Sequence, residues 1–222
     1  MTPKKSIVNA IQSLSGAYSP HNIFSDWVEL CALSIQNSCC VFFHDGPWEE
    51  REERYRNTAG KYGDRELSMF SEMLAWLAEA LEEEMRDVLG EIYMESNISN
   101  GHIGQFFTPF NVSELCARLG INHDEVLQQS RLQLNEPSCG GGGMIIAACK
   151  VLRDMGFDYQ RRLDVVAQDM DWNGVYMTYL QLSLIGCRAI VVQGDTLREP
   201  FVCGKTDPRH IMRTPAMMGA LI

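Results

Sequence analysis

Three short strings carry residue types that could hold a nucleoside. The first is Glu136-Pro137-Ser138-Cys139, which runs into Gly140 to Gly143. Glycines in such a turn let backbone approach a ligand closely and take positive φ. If a helix follows, its first amides are free to bind an anion such as a carboxylate. The second string is Asp169-Met170-Asp171, and the third is Gly194-Asp195-Thr196. A carboxylate at the second point suits bidentate bonding to ribose hydroxyls. A carboxylate at the third can accept a hydrogen bond from an exocyclic amine. Each string alone has a plainer reading: a flexible glycine turn, or aspartates that cap helices. A phosphate loop is disfavoured because no Gly-Lys-Ser/Thr follows the glycines, and the G-x-G-x-x-G of nicotinamide sites is missing.

The elements that must position these strings alternate. Arg131 to Asn135 reads as a strand, Gly143 to Met155 as a helix and Leu163 to Gln168 as a second strand. Trp172 to Leu184 reads as a helix and Ala189 to Gln193 as a third strand. This order implies a parallel sheet with right-handed crossovers. Ligands sit at the carboxyl ends of such strands, which is where all three strings fall.

Residues 1 to about 100 read as helical. Ser25-Asp26 is expected to open a helix through Trp27, Leu30, Cys31 and Ile35, and Pro47 to start another, which Gly60 to Gly63 break. Asp64 is expected to cap the longest helix. Its apolar positions Leu67, Phe70, Leu74, Leu77, Leu81, Met85 and Val88 recur every three or four residues, which is a core-packing stripe. Ser96 to Gly104 reads as a connecting loop.

Composition narrows the class. The 222 residues are 45% hydrophobic and 22% charged, as in an ordinary globular chain. Apolar runs such as Gly142 to Cys149 are too short to cross a bilayer. Met1 to Ala10 lacks an apolar signal core, so a cytoplasmic location is the expectation. The 8 cysteines form no C-x-x-C pair, so no metal site is expected. The net charge of -10 opposes tight unaided binding to duplex DNA, because phosphate neutralisation supplies most of that affinity.

Four segments together resemble the adenine-N6 DNA methyltransferases, and most closely the modification subunits of type I restriction systems. Gly104-Gln105-Phe106-Phe107-Thr108-Pro109 is similar to that family's first segment, and Glu136 to Ile145 to its S-adenosylmethionine (SAM) motif. Ala167-Gln168-Asp169-Met170-Asp171 and Gln193-Gly194-Asp195-Thr196-Leu197 are similar to the next two. The resemblance implies an α/β fold, a partial Rossmann-like SAM-dependent methyltransferase sheet preceded by an α-helical region. It divides the chain into a helical region, 1–103, and a truncated SAM-binding domain, 104–222. It implies that Thr108 contacts the methionine carboxylate and that Phe107 lines the pocket. Glu136, Ser138 and Gly140 would surround the methionine moiety, Asp169 hold the ribose and Asp195 the adenine amine. Cys139 would be a structural residue of the loop, not a nucleophile.

The chain departs from the family after Leu197. Members carry an apolar strand ending in [DN]-P-P-[FYW], whose acceptors and aromatic ring hold the flipped adenine. The nearest string here is Asp207-Pro208-Arg209-His210, read as a surface turn, with Asp207 and His210 as the candidate catalytic pair of a degenerate motif. Pro200, Pro208 and Pro215 make the tail poor sheet material. A half-sheet with an exposed edge is expected, to be covered by the N-terminal helices, the tail or a second chain. Two functions follow. One is a SAM-dependent DNA adenine-N6 methyltransferase, active alone or with a partner subunit or a second copy of itself (a homo-oligomer) that supplies the missing parts. The other is an inactive SAM-binding regulatory or anti-restriction protein.

Overall fold

The computed structural model describes residues 1–16, 18–41, 45–95 and 107–219. The expected loop at 96–104 and the segment Gly104 to Phe106 lie outside them. Five helices come first: α1 Pro3–Leu14, α2 Pro20–Cys39, α3 Trp48–Ala59, α4 Asp64–Glu83 and α5 Val88–Glu95. Next are α6 Phe110–Gly120 and α7 His123–Gln128, then β1 Leu132–Glu136, α8 Gly143–Asp154, α9 Tyr159–Arg162, β2 Leu163–Asp169, α10 Trp172–Leu184 and β3 Arg188–Gln193. A 3-10 turn at Pro208–His210, β4 Ile211–Arg213 and α11 Pro215–Met218 close the described chain.

Local chemistry explains most boundaries. Ser19 caps α2 through its hydroxyl and Pro20 occupies the first turn, so that helix starts five residues before the expected Ser25. α4 starts at Asp64, and the Glu66 side chain accepts from the Gly63 amide at 3.0 Å. The expected stripe does not run through one helix. α4 stops at Glu83, and Met85 and Val88 are buried from beyond the break. Side-chain periodicity persisted across a backbone interruption that apolar spacing alone does not register.

Among the described residues the sheet has four strands in the order β1-β2-β3-β4. β1, β2 and β3 are parallel, with Leu134 opposite Val165 and Val165 opposite Ala189. On β2, Leu163, Val165 and Ala167 are buried, while Asp164 and Val166 between them are half-buried. α8 packs on β1, and α10 on β2 and β3. The sheet is thus the expected partial Rossmann-like one.

The edges resolve differently from one another. β4 pairs antiparallel with β3, Met212 opposite Val191, so the tail covers that edge. Its prolines sit outside the strand, Pro208 in the turn before it and Pro215 in the helix after it. That is why a proline-rich tail still supplies a strand. At the other edge, β1 has a partner on one side only among the described residues.

The helical region shares its core with the sheet layer. Trp27, Phe24, Leu77 and Leu89 belong to the same buried cluster as Val165, Tyr179 and Val191. α2 lies against α10, and the Arg213 amide on β4 donates to Gln36 Oε1 of α2 at 2.9 Å. No helix among the described residues is long and apolar enough to cross a membrane.

Candidate functional site

The loops after β1, β2 and β3 are laced together by backbone. The Cys139 amide donates to the Gln168 carbonyl at 2.9 Å, and the Gly194 amide to the Asp169 carbonyl at 2.8 Å. Thr196 Oγ1 donates to the Pro137 carbonyl at 2.7 Å, which joins the third loop to the first. Gly140 and Gly142 take φ of 50° and 90°, the left-handed region that favours glycine, and Gly142 stands at the start of α8. The first α8 amide bonded back along the chain is that of Ile146, to Gly142. The amides just before it have no acceptor within the helix and remain available to an anion.

These loops enclose a cavity of about 480 Å³. Thr108, Ser138, Gly140, Asp169 and Asp195 all line it, and so does Phe107. Its size falls in the range of small-molecule sites, which run from about 300 to 1,000 Å³. Of the seven candidate binding residues, Glu136 alone does not line it. Glu136 stands just behind, where its Oε1 accepts from the Ser138 amide at 3.3 Å. Burial pushes its carboxyl above the usual range. The Ser138 amide opposes that shift and the Asp169 charge adds to it.

Asp169 organises the centre. Oδ2 accepts from the Gly140 amide at 2.8 Å and Oδ1 from the Asp171 amide at 3.0 Å. An ionised carboxylate offers about four acceptor positions, so two remain for hydroxyl donors. Gly174 gives it room, since a Cβ there would lie 3.0 Å from the Asp169 carboxyl carbon. Asp195 closes the turn after β3, its Oδ1 accepting from the Leu197 amide at 2.9 Å. Phe107 lies over the glycine turn, where a Cβ on Gly140 would meet its ring at 2.8 Å.

Cys139 is buried, and desolvation pushes its thiol up to about 12, against a weaker opposing bond from Thr178. A thiol that stays protonated at neutral pH is not a nucleophile. Asp207 and His210 are elsewhere. Asp207 is ion-paired to Arg209 at 2.6 Å, and this holds its carboxyl down at about 2. The His210 ring stacks near Trp172 at 6.1 Å, and its Nδ1 lies 2.6 Å from Gln193 Oε1. Neither residue lines the cavity that holds Asp169 and Asp195.

Two residues that frame this cavity carry no motif in the sequence reading. Asp87, between α4 and α5, is on its wall and only 4% exposed. Gln181 of α10 donates to Asp87 Oδ1 at 2.8 Å and to the Gly141 carbonyl at 2.7 Å, and accepts from the Leu89 amide at 3.1 Å. An aspartate interrupting an apolar stripe, with glycine three residues on, was the available sign of Asp87. Nothing local marks Gln181.

A profile of the N-6 DNA Methylase family matches residues 84–216, more than half of the chain. The chain belongs to the N-6 DNA methylase family. The matched span includes Asp87 as well as every candidate binding residue. Two crystal structures are similar to this family member at low identity. One, from Listeria monocytogenes, is assigned as a class I S-adenosylmethionine-dependent methyltransferase. It shares 12% identity at a TM-score of 0.47, over 88% of this chain and 54% of that one. The other is the type I restriction-modification system methyltransferase subunit from Streptococcus thermophilus. It shares 18% identity at a TM-score of 0.47, over 88% of this chain and 44% of that one. The methylase-family chain thus spans about half the length of these two. No curated protein matches it significantly.

Proposed function

We propose that this chain binds SAM and forms the cofactor-holding part of a DNA adenine-N6 methyltransferase. The observation that carries the reading is the shared cavity of Thr108, Ser138, Gly140, Asp169 and Asp195, in a chain of this family. The residues fit the cofactor group by group. Asp169 keeps two acceptor positions for ribose hydroxyls. Asp195 accepts from the adenine amine, and the free amides of α8 with Thr108 take the methionine carboxylate. When bound, SAM supplies an electrophilic methyl group. The chain's own residues hold and orient it, and Cys139 takes no covalent part.

Adenine in DNA is the proposed acceptor, with a second polypeptide supplying the groups that grip the base. The one-sided pairing of β1 among the described residues supports this, because a strand edge beside the glycine loop can accept another strand. The separation of Asp207 and His210 from the cavity supports it too. Calorimetry with SAM tests the cofactor reading. Saturable binding in the micromolar range, roughly -8 kcal/mol, is expected. No heat and no saturation at millimolar SAM would sink it.

A further inference from the structure

Asp87 is a buried carboxylate with no cation beside it among the described residues. Its Oδ1 accepts from the Gly90 amide and from Gln181 Nε2, each at 2.8 Å. Oδ2 accepts no hydrogen bond from any described residue. The one charge that acts on it, Glu91, repels it, and burial raises its pKa. A lone buried carboxylate is costly, and it is relieved by protonation or by a cation.

Three glycines make room for this group. A Cβ on Gly90 would stand 2.2 Å from Oδ2, one on Gly141 2.8 Å from both oxygens, and one on Gly143 3.1 Å from Oδ2. The carboxylate is therefore seated against the turn that opens α8. Gly143 and Met144, which carry free helix amides, line the same cavity. An acceptor of cations thus lies beside a donor set for carboxylates. An α-amino acid bears both charges on one carbon. The nucleoside-type acceptors, Asp169 and Asp195, are on the other loops.

We propose that Asp87 binds the ammonium group of the cofactor's amino-acid tail, while the α8 amides bind its carboxylate. The inference rests on the SAM reading above and assigns one charge within it. Asp87 then selects for the amino-acid tail rather than for the nucleoside.

The test titrates the protein with three probes: S-adenosylhomocysteine, its deaminated analogue that keeps the carboxylate, and methylthioadenosine, which lacks the tail. The wild type should bind S-adenosylhomocysteine at least about tenfold more tightly than the deaminated analogue, as for a charged hydrogen bond. Asp87→Asn should erase that difference and leave methylthioadenosine unchanged. Asparagine can still accept from the Gly90 amide, and a thermal unfolding curve checks that the variant folds. A second measurement needs no variant. In the wild type, the preference for the ammonium should fall away as pH is lowered and Asp87 takes up a proton.

An Asp87→Asn protein that binds all three probes equally more weakly would make Asp87 structural and overturn the proposal. So would a preference that survives both the substitution and low pH. If the wild type binds none of the probes, the SAM reading fails along with it. Failure of the inference alone leaves S-adenosylhomocysteine bound.

Discussion

The Gly140 amide donates to Asp169 Oδ2 at 2.8 Å, and this bond joins the loop after β1 to the end of β2. The Gly140 carbonyl accepts from Thr178 Oγ1 of α10 at 2.9 Å, so the turn is held from both sides. The candidate ribose ligand is thereby a structural residue as well.

Asp169→Ala should therefore cost stability and binding together. Two backbone amides, of Gly140 and Asp171, lose a partly buried acceptor, with an expected loss of about 1–3 kcal/mol for each amide left unsatisfied. Urea unfolding should show a lower midpoint, and calorimetry should show weaker SAM binding. A variant with unchanged stability would mean that the loop does not depend on this bond.

Asp195→Ala should separate the two effects. Among the described residues the side chain holds only the turn at Leu197 and is paired distantly with Arg198, at 3.5 Å. Stability should change little, while SAM affinity falls by about 1–3 kcal/mol through the lost hydrogen bond. Full affinity in this variant would show that the adenine amine is held elsewhere.

Asp87 should make stability depend on pH in the unusual direction. Its folded pKa is raised by burial, above the unfolded value of about 3.9. Its contribution is present in full below the unfolded pKa and is lost as pH rises through the folded value. Without ligand, Asp87→Asn should thus be more stable than the parent at neutral pH. The gap should close near pH 4. Unfolding midpoints for both proteins across pH 4–7 check this, and a variant less stable at pH 7 would contradict it.

Duplex DNA should bind weakly to the isolated chain. The net charge is -10, and non-specific affinities of about 10⁻⁴–10⁻⁶ M are the expected ceiling. Fluorescence anisotropy at physiological salt is the measurement. Nanomolar affinity for one defined duplex would show a basic groove that the overall charge conceals.

Methyl transfer by the purified chain alone should be negligible. Positioning of an acceptor can account for about 7–11 kcal/mol of a barrier, and Asp207 and His210 stand outside the cavity. A labelled-SAM assay on DNA, with and without candidate partner polypeptides, decides between a partnered enzyme and an inactive SAM-binding protein. If the chain alone methylates adenine and Asp207→Ala abolishes this while SAM still binds, Asp207 is catalytic after all.

Much of the architecture was legible because it is encoded locally. The lengths of the segments and the turn residues between them specify β1, α8, β2, α10 and β3 to within a residue or two. The alternation of strands and helices put Gly140, Asp169 and Asp195 at three strand ends, since parallel crossovers send every such loop to one side of the sheet. The paired prolines hid β4, because residues that forbid a ladder bond inside a strand are tolerated just outside it.

The sequence by itself determined the alternation of elements, the family and the residues grouped at the strand ends. Tertiary structure alone decided what surrounds them. Asp87 and Gln181 are 94 residues apart and meet at 2.8 Å, a contact set by how α5 packs on α10. Periodicity carries no information about such a pair, because the bond between the two side chains forms only where their separate elements pack together. Tertiary pairing also decided which edge was closed. The β3 edge binds the tail through three residue pairs, and the outer edge of β1 is left unpaired among the described residues.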